Sequence, residues 1–265
     1  MAKYRVLRYS GAELLDPVSL RYLLWDPEVE SHSFEIGNVD EMVAFCVDAF
    51  ELPPEDVRRH VAEARSDPEL TTLLRRRTRW AFDLKTQPPL AQRLLWWVLV
   101  RGQKPGLIVE TGVYEGLGSL VLLVAAERNA SEGGPDAHVV SVDSDPRSGR
   151  LVPEHLEHRW EKVIGNTSDV LEDAIGGRPI GVFVHDTPHT EATQRHEFGL
   201  ALLNRADPLT IVDGGGGQIP TLAELAAEHG AVLHHAVPRP AGHPVRISVD
   251  FATFRGSRLG SRPAS

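Results

Sequence analysis

From Lys104 onward, short apolar runs recur between amphipathic stretches, and this alternation restricts the fold more than any other feature of the chain. The runs at 106–110 (GLIVE), 138–142 (HVVSV), 160–164 (WEKVI), 180–184 (IGVFV) and 208–212 (PLTIV) have strand length, and the stretches at 117–129, 149–159, 168–175, 190–204 and 219–229 have helical spacing. Strands alternating with helices predict a parallel sheet with crossover helices on its faces. Two more runs follow, at 231–237 and 245–254. In the second, Val245, Ile247, Val249 and Phe251 alternate with other residues, which predicts a strand with one covered face. The expectation is an α/β, Rossmann-like fold: a seven-stranded, mostly parallel sheet ending in an antiparallel hairpin.

Residues 1–90 lack this rhythm. Helical spacing appears at 11–25, 39–50, 54–65 and 69–82, and Leu52-Pro53-Pro54-Glu55-Asp56 reads as a helix start, with proline and acids in the first turn. The domain expectation is a helical cap over 1–90 that closes over a site and offers a homo-oligomer surface, a ligand-binding α/β domain over 91–255, and a disordered tail over 256–265, rich in Gly, Ser, Arg and Pro. Trp80, Phe82, Trp96 and Trp97 read as helix-core residues. The formal net charge of -9 argues against nucleic acid as a partner, and Arg75-Arg76-Arg77 with Arg79 reads as a solvated helix face. The single cysteine, Cys46, excludes an internal disulfide and lies within an apolar pattern, so it reads as a core thiol. No leader-like apolar region opens the chain and no run is long enough to span a bilayer, which predicts a cytoplasmic protein with no membrane partner.

The first strand ends in Glu110-Thr111-Gly112-Val113-Tyr114-Glu115-Gly116-Leu117-Gly118-Ser119, directly before a helix. Open α/β sheets bind ligands at the carboxyl ends of their strands, and glycines let backbone approach a ligand. The pattern is E-x-G-x-x-x-G and not the G-x-G-x-x-G that seats a pyrophosphate. An acid beside the bend suits a cationic, phosphate-free cofactor such as S-adenosylmethionine (SAM); a plain strand–helix turn is the competing reading. Asp143, at the end of the second strand, is placed to accept both hydroxyls of an adenosyl ribose, or else to cap a turn. Asn166, after the third strand, lies where an adenine edge would be, though capping the next helix would also use it. The cofactor-binding set is therefore Glu110, Gly112, Tyr114, Gly116, Ser119, Asp143, Ser144, Asn166 and Asp186.

The fourth strand ends in His185-Asp186-Thr187-Pro188-His189-Thr190 and the fifth in Asp213-Gly214-Gly215-Gly216-Gly217. Asp186 and Asp213 are expected on one rim, close enough to share a Mg²⁺ ion that would lower the pKa of an acceptor hydroxyl. Loop capping by the same two acids is the alternative. Without metal, His189 or His185 would serve as general base beside Asp186. The four glycines suit a mobile lid or a close substrate contact.

These segments resemble the class I SAM-dependent methyltransferases and, more narrowly, the cephalosporin-hydroxylase and rhamnosyl O-methyltransferase group. The carrying residues are KPGLIVETG (104–112), VDSDP (142–146), HDTPHT (185–190) with His196-Glu197-Phe198 downstream, and IVDG (211–214); TRWAFDLKTQPPL (78–90) resembles the approach to the first strand. The resemblance implies SAM binding by Glu110, Gly112 and Asp143, and Mg²⁺ binding by Asp186 and Asp213. The chain departs from the group at Gly214, where an acid or amide is common, and at Pro188, where related enzymes carry a second aspartate. The function expected is methyl transfer to a hydroxyl of a small molecule such as a sugar, polyol or natural product, with metal-free N-methylation or a non-catalytic SAM-binding scaffold as alternatives.

Overall fold

The computed structural model describes residues 34–77, 90–216, 218–240 and 247–256. The expected helix at 11–25, the aromatic residues Trp80 and Phe82, Arg79, Gly217, Val245 and the tail beyond Gly256 lie outside these residues.

Three helices come first, α1 (Val39–Phe50), α2 (Pro54–Ser66) and α3 (Pro68–Arg77). They match the helical spacing at 39–50, 54–65 and the start of 69–82. A fourth helix, α4 (Arg93–Gln103), follows. Its run from Leu94 to Arg101 is buried on every side, so no amphipathic stripe marks it in the sequence. Lys104 ends it in the left-handed conformation, returning its N–H to the Val100 carbonyl. The sheet then alternates with helices: β1 (Leu107–Thr111), α5 (Leu117–Ser131), β2 (His138–Asp143), β3 (Trp160–Ile164), α6 (Thr167–Ile175), β4 (Ile180–His185), α7 (Glu191–Leu203), β5 (Arg205–Asp213), α8 (Thr221–Glu228), β6 (Val232–Ala236) and β7 (Val249–Phe254).

The strand order is β3-β2-β1-β4-β5-β7-β6, parallel from β3 to β5, with β7 antiparallel to both β5 and β6. This is the expected sheet and hairpin. Two expectations need correction. The stretch 149–159 is not one helix: Gly149 has φ +79 and Pro153 interrupts the chain, leaving only a short 3₁₀ turn at Glu154–Arg159. Strand β7 is covered on both faces, with Phe251 in one core and Ala252 and Phe254 in the other. The reason is that α8 packs behind a strand whose other face meets α1.

Those two cores are the two faces of the sheet. The first holds Ile108, Val139, Val182, Val184 and Val212 against α4, α5 and the N-terminal helices; the second holds Val109, Val140, Val142, Phe183 and Ile211 against α6, α7 and α8. Helices α1 and α2 thus share a core with the sheet. Trp96, Trp97 and Cys46 are buried in it, as expected of core residues, and burial pushes the Cys46 thiol up.

Candidate active site at the strand ends

Side chains alternate along a strand, so each functional residue inherits a face from its apolar neighbours. Glu110 follows Ile108 on β1, Ser141 follows Val139 on β2, and Asp186 follows Val184 beyond β4. All belong to the face of α4 and α5. Thr111, His185 and Asp213 follow Val109, Phe183 and Ile211 and belong to the face of α7.

On the first face, Glu110 is buried and accepts hydrogen bonds from the hydroxyls of Ser119 and of Ser141, the latter at 2.8 Å. Burial raises its carboxyl to about 7 against the two serine hydroxyls; nearby Asp186 adds to the rise and the Arg93 guanidinium opposes it. Glu110 and Ser119 therefore sit beneath the bend and brace it, and neither is on its open surface. The glycines above them answer to loop packing. Gly112 has φ +85, and a Cβ there would lie 2.2 Å from the Asp186 carbonyl oxygen; Gly116 has φ +91, and its Cβ would lie 2.8 Å from the Gly149 Cα. The bend is thus pressed against the tips of β4 and β2.

Asp143 closes the bend from the other side. Its Oδ2 accepts the amides of Val113 at 2.8 Å and Tyr114 at 2.9 Å, and its Oδ1 accepts that of Asp145 at 2.8 Å. A carboxylate has about four acceptor positions, so a hydroxyl can still be received. Tyr114 is 79% exposed and, although not glycine, has φ +50. Such strain is held where surrounding structure over-determines the backbone, and here it leaves an exposed tyrosine whose amide Asp143 holds. Ser144 and Asn166 are both exposed on the neighbouring rim. Asn166 precedes α6 without a side-chain cap bond, so the capping reading does not account for it.

On the second face, His185 is wholly buried and its Nδ1 lies 2.8 Å from Glu197 Oε2. Glu197, also buried, accepts the hydroxyls of Thr111 at 2.6 Å and Thr187 at 3.0 Å. Burial opposes its charge, but His185 and Thr111 hold its carboxyl below the usual range. His189 is half-buried, with Nε2 3.1 Å from Asp213 Oδ1 and its ring 4.8 Å from that of His185. Asp213 raises the His189 pKa. Asp213 also accepts Gln194 Nε2 at 2.9 Å and the Gly215 amide at 3.0 Å.

The expected Asp186–Asp213 pair does not form. In register, His185 lies opposite Asp213, and the Gly214 amide bonds the His185 carbonyl at 2.9 Å. The residue facing Asp186 is thus Gly214, and the one-residue offset puts the two aspartates on opposite faces of the sheet. Mg²⁺ needs hard oxygen donors. With Asp213 set among imidazoles and Asp186 outside that cluster, these side chains do not fit Mg²⁺ as expected from the sequence. His185, expected as a base, is too deeply buried to touch an acceptor. Gly214 and Gly215 make room for neighbours: a Cβ at the first would lie 3.1 Å from Asp186 Oδ1, and at the second 2.1 Å from His189 Cδ2. The sequence gives no role to Glu197, named only among the residues of the resemblance, or to Gln194. Their signal was two polar residues at i, i+3 on the same helix face as Phe198 and Ala201.

The burial of Glu110 yields a stability prediction. A carboxyl raised from 4.5 to about 7 on folding stabilises fully below pH 4.5, and that contribution is lost as pH rises through 7. The span corresponds to about 3 kcal/mol. Glu110→Gln should remove this limb, so that urea denaturation of wild type minus variant changes between pH 4.5 and 7.5; a constant difference would refute the raised pKa.

Residues 109–212 match the model of a family described as a methyltransferase domain. A search among curated proteins finds none that matches. Among solved structures, a Klebsiella pneumoniae protein assigned as an O-methyltransferase is similar in fold, with 14% identity, 78% of this chain and 99% of that chain covered, and a TM-score of 0.53. The SAM complex of the O-methyltransferase TomG from Streptomyces achromogenes, involved in tomaymycin synthesis, is 16% identical over 87% and 96% of the two chains with a TM-score of 0.49. An O-methyltransferase from Bacillus cereus in complex with S-adenosylhomocysteine is 13% identical over 90% and 96%, with a TM-score of 0.48. At these identities the Klebsiella likeness establishes the fold alone. The strand order and the terminal antiparallel pair give the chain a Rossmann-like fold of the methyltransferase kind, within which residues 109–212 match the methyltransferase domain.

Proposed function

We propose that the chain transfers a methyl group from SAM to a hydroxyl of a small molecule. The observation that carries this reading is the Asp143 carboxylate, which sits at the tip of β2 against the bend with an acceptor position to spare and holds the amide of an exposed tyrosine, Tyr114. Asp143 would take a ribose hydroxyl, Tyr114 would cover the nucleoside, and Ser144 and Asn166 would line its far edge. When bound, SAM supplies a methyl group on a cationic sulfur. Glu110 and Ser119 hold the bend to the sheet. Asp186, exposed at the tip of β4 and anchored by its amide to the Thr111 carbonyl at 2.8 Å, is the carboxylate at the seam between bend and acceptor. Its oxygen would receive the acceptor's hydroxyl hydrogen bond and take that proton as the oxygen gains its methyl group. An acidic chain of this kind suits a small-molecule acceptor better than a nucleic acid.

Calorimetric titration with S-adenosylhomocysteine tests the reading. Wild type should bind, and Asp143→Ala should weaken binding by at least about 10-fold, the loss of one charge-assisted hydrogen bond at roughly 1.5 kcal/mol. Unchanged affinity in the variant would remove Asp143 from the nucleoside site.

A further inference from the structure

Nε2 of His185 is buried with no hydrogen-bond partner, and the buried Nε2 of His189 has Asp213 Oδ1 at 3.1 Å as its only neighbour of that kind. Buried polar atoms are rarely left so, and each such orphan calls for an explanation. The two histidines cluster with one carboxylate: one donor atom each of His185, His189 and Asp213 lie within 4.8 Å of one another. His189 Nε2 and Asp213 Oδ1 approach to 3.1 Å, a separation that two ligands of one ion can share.

The surroundings hold these donors in place. Glu197 accepts at Nδ1 of His185, which puts the proton there and leaves Nε2 as a bare lone pair. A carboxylate behind a histidine is the usual support of a metal-binding imidazole. Gln194 and the Gly215 amide fix the two oxygens of Asp213. Gly215 also leaves space that a Cβ would take from the His189 ring.

We infer that His185, His189 and Asp213 bind a divalent first-row transition ion of the zinc class, in preference to Mg²⁺. Two imidazoles and one carboxylate suit zinc or cobalt, whereas Mg²⁺ takes oxygen donors and keeps its waters. Ligands about 2.1 Å from a zinc ion stand roughly 3.4 Å apart in a tetrahedron, so the donors close onto an ion by side-chain adjustment of about an ångström. Three protein ligands leave a coordination position free, and half-buried His189 marks the side from which it is reached. This site does not depend on the methyl-transfer reading.

The experiment uses tag-free full-length protein, stripped with chelator and titrated with Co²⁺, then Zn²⁺. One Co²⁺ per chain should bind with visible d–d bands, be displaced by Zn²⁺, and resist millimolar Mg²⁺. His189→Ala and Asp213→Asn should each weaken Co²⁺ binding at least about 100-fold, while His196→Ala, an exposed histidine on the same helix as Glu197, should not. Should Asp213→Asn fail to fold, half-buried His189→Ala carries the test. No stoichiometric Co²⁺ binding, equal affinity in His189→Ala, or displacement by millimolar Mg²⁺ would each overturn the proposal. S-adenosylhomocysteine binding, measured on the same preparation, separates failure of this site from failure of the methyltransferase reading.

Discussion

Gly112→Ala should lower the melting temperature by roughly 6–12 °C and weaken S-adenosylhomocysteine binding beyond detection. Two independent penalties meet at this residue. Its φ of +85 lies where a Cβ is strained, at about 1–3 kcal/mol. The added Cβ would also lie 2.2 Å from the Asp186 carbonyl oxygen and 2.6 Å from its carbon, and both are backbone atoms that cannot rotate away. The bend must then lift from the tip of β4, breaking the seam between the nucleoside and acceptor sides. A combined loss of about 3 kcal/mol, spread over a chain of this size at roughly 2–4 °C per kcal/mol, gives the expected shift. Gly133→Ala is the control. It has φ +79 but nothing within 4 Å of the added Cβ, so only the backbone strain remains. Calorimetric melting of the two variants side by side isolates the crowding. Equal shifts would mean that the bend is not pressed against β4.

Strands β1 and β4 were legible because parallel strands buried on both faces write themselves as short, mostly apolar runs. The bend and Asp143 were legible for a related reason: ligand sites in open α/β sheets fall at strand ends, and strand ends can be counted. Helix α4 was not legible, since a helix buried on every side has no period to detect. The Asp186–Asp213 pairing failed at a finer level. Sequence located both residues at adjacent strand tips, but the face each takes depends on register, and a single residue of offset moves a side chain across the sheet. Glu197 lies on the helix that follows His185 and Thr187, and it reaches them and Thr111 only when α7 docks on β4 and β5. The three-residue cluster with His185 and His189 is accordingly a product of tertiary packing, although two of its members were singled out from the sequence as bases and the third as a metal ligand.

Asp186→Asn should leave S-adenosylhomocysteine affinity within a few-fold of wild type and lower kcat by about 10²- to 10⁴-fold, the range for loss of a positioned proton acceptor. The asparagine keeps the shape and the backbone bond to Thr111, so the bend stays seated. What is lost is an oxygen able to leave with a proton. A hydroxyl becomes a good nucleophile toward a methyl group only as its proton departs, and among the candidate bases Asp186 alone is exposed: His185 is wholly buried, and His189 is half-buried against Asp213. The acid also lies near Glu110 and Arg93, so removal of its charge has a second readout. Asp186 adds to the raised pKa of Glu110, and in Asp186→Asn that carboxyl should titrate lower, which shifts the pH-dependent stability limb of the bend toward acid. A variant with wild-type turnover on an accepted substrate would take Asp186 out of the chemistry. Lost turnover together with lost cofactor affinity would make it a structural residue of the bend instead of the group that receives the proton.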